Sequence, residues 1–152
     1  MSTNAHIGIL ENGNITYIYN HFDGYVSNVG HILYNHYNDP EKLKELLALG
    51  DISSLGECVS REEYSDHSSA DSDINITIAY HRDYGEDFER NKARILKDIT
   101  GVYPESVIRK YANKDIEFAY LYNVDSNLLE KEKWFYFYDG RGPFDLEKDV
   151  KD

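Results

Sequence analysis

Two alternating runs open the chain. "AHIGILE" and "NITYIYN" flank Asn12-Gly13, and an Asn-Gly pair accepts the positive φ values of the type I′ turn that joins paired strands. In the second run Ile15, Tyr17 and Tyr19 face one way, and Thr16, Ile18 and Asn20 the other. The pattern then changes to helical spacing. Val29, Ile32, Leu33, His36 and Tyr37 make one stripe in "SNVGHILYNHY", with Ser27 placed as N-cap and His36 expected to pack in the core. "DPEKLKELLALG" predicts a short helix. Asp39 caps it, Pro40 takes the first turn, Leu43, Leu46 and Leu47 form the buried face, and Gly50 follows the last turn. "INITIAY" alternates again, with Ile74, Ile76, Ile78 and Tyr80 on one face. In "FERNKARILKDIT", Phe88, Ile95, Leu96 and Ile99 predict a helix that Glu86 and Asp87 favour at its start and Thr100-Gly101 ends. A second short helix is expected from Pro104, with Val107, Ile108 and Tyr111 on its core side. "DIEFAYLYN" and "KWFYFYD" close the chain as strands around the loop "SNLLEKE".

The order ββααβααββ predicts an α+β fold. It is expected as a single domain over residues 1–152, with a five-stranded mixed sheet covered by helices. Residues 57–73 read as an acidic mobile loop that carries His67, and residues 145–152 as a frayed tail.

Composition sharpens this picture. Aromatic residues make up 14% of the chain and 14 are tyrosines, which suits half-buried sheets and binding surfaces. The net charge is −12, from 16 Lys and Arg against 28 Asp and Glu. Most of such a surface repels phosphate backbones, so general nucleic-acid binding is not expected, while a basic protein partner is attracted. A single cysteine, Cys58, excludes an internal disulfide and a multi-Cys zinc site. The opening "MSTNAHIGIL" lacks the basic and apolar regions of a signal peptide, and no apolar run reaches membrane-spanning length. A reducing, cytosolic setting follows as the expectation.

Two stretches offer chemistry. "NHFDGY" holds His21, Asp23 and Tyr25, and "YHRDYG" holds His81, Arg82, Asp83 and Tyr84. Each follows an expected strand. If those strands run parallel, His21, Asp23, His81 and Asp83 leave the same sheet edge and converge, where crossover sheets place ligands. Two imidazoles and two carboxylates suit a divalent metal or an oriented general base, and Arg82 offers a fork for phosphate. If the strands are antiparallel, the constellation dissolves. The competing readings are structural: Asp23-Gly24 as a tight turn with positive φ at the glycine, His81 and Asp83 as supports of the following helix, and His31 as an exposed helix residue. Arg141, in "DGRGPF", is a further candidate for an anionic ligand. No glycine-rich phosphate loop, His-x-x-x-His pair or activated Cys58 appears, so no catalytic residue, metal or cofactor is assigned.

Three spaced segments, "YIYNHFDGYVSNVGHILYNHY", "LLALGDISSLGE" and "TIAYHRDYGED", resemble a group of small, mostly uncharacterised proteins of bacterial phages and prophages. The resemblance covers roughly residues 5–90. The chain departs from the group's pattern at Val26, where a proline is common, and at Tyr84, where an arginine is common. It implies a phage origin and the host bacterial cytosol, and it implies no reaction.

Three functions stay open at this point. The first is a non-enzymatic protein that binds and inhibits a host factor of a defence system, anchored by Tyr25, Tyr84, Trp134 and Tyr138. The second is a pocket that sequesters a small nucleotide-type signal on aromatics, Arg82 and Arg141. The third is a metal-dependent hydrolase built on His21, Asp23, His81 and Asp83.

Overall fold

The computed structural model describes residues 3–60, 76–97, 111–112, 116–125 and 129–150. The amino-terminal hairpin forms as expected: β1 (Ala5–Glu11) and β2 (Asn14–Asn20) pair antiparallel, from Glu11 opposite Asn14 to Ala5 opposite Asn20. Asn12 and Gly13 both take positive φ, +56° and +77°, the type I′ signature. A π-helical turn (Val26–Gly30) leads into α1 (His31–His36), and α2 (Pro40–Ala48) follows. Asp39 caps α2 by accepting the Glu41 N–H at 3.0 Å. Gly50 leaves it at φ +79°, the left-handed conformation glycine adopts without a Cβ clash.

The remaining described elements are β3 (Ile52–Ser54), β4 (Ile78–Ala79), α3 (Tyr80–Tyr84), α4 (Phe88–Asn91), β5 (Arg94–Leu96), β6 (Phe118–Asn123), β7 (Lys133–Tyr138), β8 (Arg141–Asp145) and α5 (Leu146–Val150). They complete an α+β arrangement around one mixed sheet. Its order is β4-β3-β2-β1-β6-β7-β8, with β5 also paired to β2, so the described residues form eight strands where five are expected. β6 lies parallel to β1, with Ile7 opposite Tyr120. A β-sheet has two faces, and register assigns each residue to one of them. Ala5, Ile7, Ile9, Ile18, Ile52, Tyr120, Tyr122 and Trp134 meet Leu33, Leu43, Leu46 and Leu47 of α1 and α2 in the main core. Each such leucine contributes about 1.5–3 kcal/mol over its exposed state. Leu10, Ile15, Leu121 and Phe137 pack with Tyr111 on the opposite face.

Several expectations are corrected. The helix expected over 88–99 stops at Asn91, and β5 follows. β2 meets β3 only at Asn20, which leaves Ile15–Tyr17 as an open edge that β5 fills. An unpaired strand edge is costly enough to override the helical pattern. Tyr80–Tyr84 forms a helix instead of ending a strand; among the described residues the strand before it is Ile78–Ala79 with a bridge from Cys58 to Ile76, and Ile74 and Asn75 lie outside them. His36 is exposed, not a core residue; the apolar stripe buries Val29, Ile32, Leu33 and Tyr37 without it. Where a frayed tail is expected, α5 forms and buries Leu146 completely. The expected helix from Pro104 lies outside the described residues except for Tyr111, as do positions 61–73 of the acidic loop and residues 151–152 of the tail. Among the described residues, no helix is long and apolar enough to cross a membrane.

Candidate functional site

Topology decides the fate of the two His-x-Asp stretches. β3 runs parallel to β2 and antiparallel to β4. Asn20, Ile52 and Ala79 therefore stand in one row across three strands, and β2 and β4 leave that row in opposite directions. His21 and Phe22 continue along β3, donating to the carbonyls of Ile52 at 3.1 Å and Ser53 at 2.9 Å. Tyr80 turns into α3 after donating its N–H to the Asp51 carbonyl at 3.2 Å. The convergence of His21, Asp23, His81 and Asp83 does not form. Among the described residues, no three His, Cys, Asp or Glu side chains group as metal ligands.

Each residue of the two stretches does local work instead. Asp23 itself takes positive φ, +55°, and Gly24 does not, contrary to the expected turn. Gly24 is required by close approach: a Cβ there meets the Ala5 Cβ and the Thr3 carbonyl oxygen, both at 2.8 Å. His81 Nδ1 donates to the Glu86 carbonyl at 2.7 Å, and its ring sits edge-on to Phe88 at 5.1 Å. Arg82 is a clamp. Its Nη1 donates to the Val59 carbonyl at 2.7 Å, its Nη2 to the Thr77 carbonyl at 2.6 Å, and its Nε to Asp83 at 3.1 Å. Asp83 Oδ2 accepts the Ala79 N–H at 2.7 Å. Burial alone raises the Asp83 pKa; the hydrogen bonds from Arg82 and Ala79, with the Arg82 charge, outweigh it and hold the carboxyl below its ordinary value.

The face of the sheet away from α1 and α2 carries polar groups that the sequence pattern does not single out. Asp51 is buried at the start of β3 and accepts the Tyr19 N–H at 2.9 Å. It also takes a two-pronged contact from Arg94, at 2.8 and 3.0 Å. His6 is buried against the rings of Tyr17 and Tyr111, at 4.6 and 5.5 Å, which also meet each other at 5.2 Å. Its Nδ1–H donates to the Tyr111 carbonyl at 3.0 Å, and burial above all lowers its pKa. Tyr19 Oη lies 2.8 Å from His21 Nδ1. These groups satisfy one another and tie β1, β2, β3 and β5 together.

The other face opens into an aromatic cleft of about 360 Å³ at the β6–β8 end, lined by Tyr25, Val26, Glu117, Phe118, Tyr136, Tyr138 and Phe144. The register builds it: Phe118 is opposite Tyr138, and Tyr136 is opposite Phe144. Ring centroids are 4.8 Å apart for Phe118 and Tyr138 and 5.3 Å for Tyr136 and Phe144. Tyr25 is 40% exposed, Tyr138 46% and Phe144 38%. Tyr136 donates its hydroxyl to Asp149 of α5 at 2.5 Å; burial first, then that bond, raises its pKa.

Of the expected anchors, Tyr25 and Tyr138 therefore meet in one cleft. Tyr84 is exposed on α3 beside the opposite edge strand, with its ring 6.0 Å from Tyr80. Trp134 is a correction: it is 2% exposed, donates its indole N–H to the Tyr37 carbonyl at 3.2 Å, and serves the core. Arg141 is exposed at the start of β8, opposite Tyr138 and outside the cleft lining. Glu117, Phe118, Tyr136 and Phe144 are the lining residues that strand alternation alone does not mark as a site. No family model, curated protein or solved structure matches the chain.

Proposed function

We propose that this chain is a phage-encoded, acidic binding protein without a catalytic role, which holds and blocks a host protein, one belonging to a bacterial defence system. The aromatic cleft carries the reading. Half-exposed tyrosine and phenylalanine rings clustered in one concavity are the anchors that protein interfaces favour, because they bury much area and fix few torsions. Three of those rings, Tyr25, Tyr138 and Phe144, stand 38–46% exposed along the open side of the cleft. The charge of −12 adds long-range attraction for a basic surface. A phosphate-bearing signal is the poorer match. The Arg82 donors go to two carbonyls and to Asp83, and the cleft rim carries Glu117.

The test uses host bacteria that carry a defence system. Expression of the wild-type chain is expected to restore plating of a phage that the system restricts. A Tyr25→Ala/Tyr138→Ala variant, with an unchanged melting temperature, is expected to lose at least about tenfold of that rescue, as loss of interface anchors does. Equal rescue by the variant removes the cleft from the interaction. No rescue by the wild type against any of a panel of defence systems removes the inhibitor reading.

A further inference from the structure

The lining of the cleft is more particular than an apolar patch. Five of its residues are aromatic and the one charged member is a carboxylate, Glu117. The Glu117 carbonyl accepts the Asp139 N–H at 3.1 Å, which sets the backbone of a second acidic residue beside Glu117. Two of the three tyrosines donate their hydroxyls toward carboxylates: Tyr136 to Asp149 at 2.5 Å, and Tyr25 to Asp23 at 3.5 Å. A phenol that donates to an anion gains electron density in its ring, because hydrogen bonds polarise along a chain. Ring faces are already the negative part of an aromatic quadrupole. The paired lining rings are tilted by 37° and 39°, and exposed ring faces with carboxylates beside them form a site for a cation stripped of part of its water at modest cost.

We propose that the cleft is an aromatic cage for the cationic side chain of a lysine or arginine on the partner protein. The assignment rests on the reading of the cleft as the contact surface, and it commits to one occupant on charge. Among the described residues, Glu117 lines the cleft, Asp23 and Asp149 accept from its tyrosines and Asp139 binds the Glu117 backbone, against Arg141 opposite Tyr138 and Lys148 beside Asp149 on α5. The chain as a whole carries −12 and draws basic surfaces toward it. The cage then seats the side chain on ring faces, where an apolar anchor gains only its buried area.

The experiment needs no partner. Blocked tripeptides Gly-Arg-Gly, Gly-Lys-Gly and Gly-norleucine-Gly are titrated into the full chain, and ring resonances of Tyr25, Tyr138 and Phe144 are followed by NMR. Saturable shifts are expected with the Arg and Lys peptides and not with norleucine. Tyr138→Ala is expected to weaken binding about five- to tenfold, the size of a desolvated cation–ring contact. Glu117→Gln, which keeps the shape, is expected to weaken it about threefold, as loss of one exposed charge pair does. Equal affinity for norleucine, or no response to either basic peptide, overturns the cage. Preference for tetramethylammonium over both peptides overturns the protein side chain as occupant. These outcomes are separable from failure of the functional reading: a cleft that fails this titration while the Tyr25→Ala/Tyr138→Ala variant still loses rescue is an apolar contact site and not a cage.

Discussion

His6 shows how a single residue ties the fold to pH. It packs against Tyr17 and Tyr111 with Nδ1–H on the Tyr111 carbonyl, and Arg94 and Asp51 lie close enough to act on it through charge. Burial favours the neutral ring, so the pKa in the folded chain lies below the ordinary 6.5. The unfolded chain therefore binds the proton first. This contribution to stability is complete above pH 6.5 and is lost as pH falls from there through the lower folded value. Urea unfolding is expected to show stability falling over that window in the wild type. In His6→Asn, whose amide N–H can replace Nδ1–H but does not titrate, the slope is expected to flatten even if overall stability drops by about 1–2 kcal/mol from lost packing. Equal slopes in the two chains rule His6 out as the titrating group. Gly8, two residues on, is legible only in three dimensions: a Cβ there comes within 2.7 Å of the Tyr111 hydroxyl, so its absence makes room for the ring that covers His6.

At the scale of elements, local signals read well and distant pairing did not. Asn12-Gly13 specifies a turn by backbone conformation, and Asp39, Pro40 and Gly50 punctuate α2 within a dozen residues. β5 is different. Ile95 and Leu96 match a helical stripe until β2 presents an unfilled edge, and nothing near residue 95 reports that edge. The aromatic cleft has the same history. Tyr25 and Tyr138 are recognisable as exposed aromatics one at a time, but their meeting depends on β6 lying parallel to β1, more than a hundred residues away. The His-x-Asp pair does not converge because β3, a strand of three residues without a sequence signature, inserts between β2 and β4 and runs antiparallel to the second of them. At that edge Arg82 joins three pieces of chain: the Val59 carbonyl, the Thr77 carbonyl and Asp83. A lysine keeps the charge but not the fork that reaches both carbonyls. Arg82→Lys is therefore expected to cost about 1–2 kcal/mol, with the loss confined to this edge. Hydrogen exchange reads this directly. The amides of Thr77, Ala79 and Tyr80 are expected to lose protection while those of β1 and β6 keep theirs. Uniform loss across the sheet places Arg82 in the global core instead.

For the whole molecule, charge sets a balance that one measurement can read. The chain holds 28 acidic and 16 basic residues, so like-charge repulsion acts on the compact state throughout. Against it stand a few close ion pairs, Arg94 with Asp51 at 2.8 Å, Lys44 with Glu11 at 3.0 Å, and Lys133 with Asp145 at 2.7 Å and Glu130 at 3.1 Å. Most of these involve a well-exposed partner and contribute little each. Salt weakens both effects, but not equally. The screening length falls from about 10 Å at 0.1 M to about 3 Å at 1 M, which removes repulsion between separated carboxylates while contacts near 3 Å survive in part. Repulsion is therefore the larger loss, and the melting temperature is expected to rise by about 2–5 °C over that range. A fall shows instead that the ion pairs outweigh the surplus of carboxylates. The same screening acts in the opposite sense on association with a basic surface, because steering works at the range that salt cuts off while the contacts in an aromatic cleft do not. A partner seated on Tyr25, Tyr138 and Phe144 should accordingly bind more slowly at high salt and dissociate at nearly its low-salt rate, measurable by surface plasmon resonance across the same salt series. A dissociation rate that climbs steeply with salt identifies exposed charge pairs, and not the rings, as what holds the complex together.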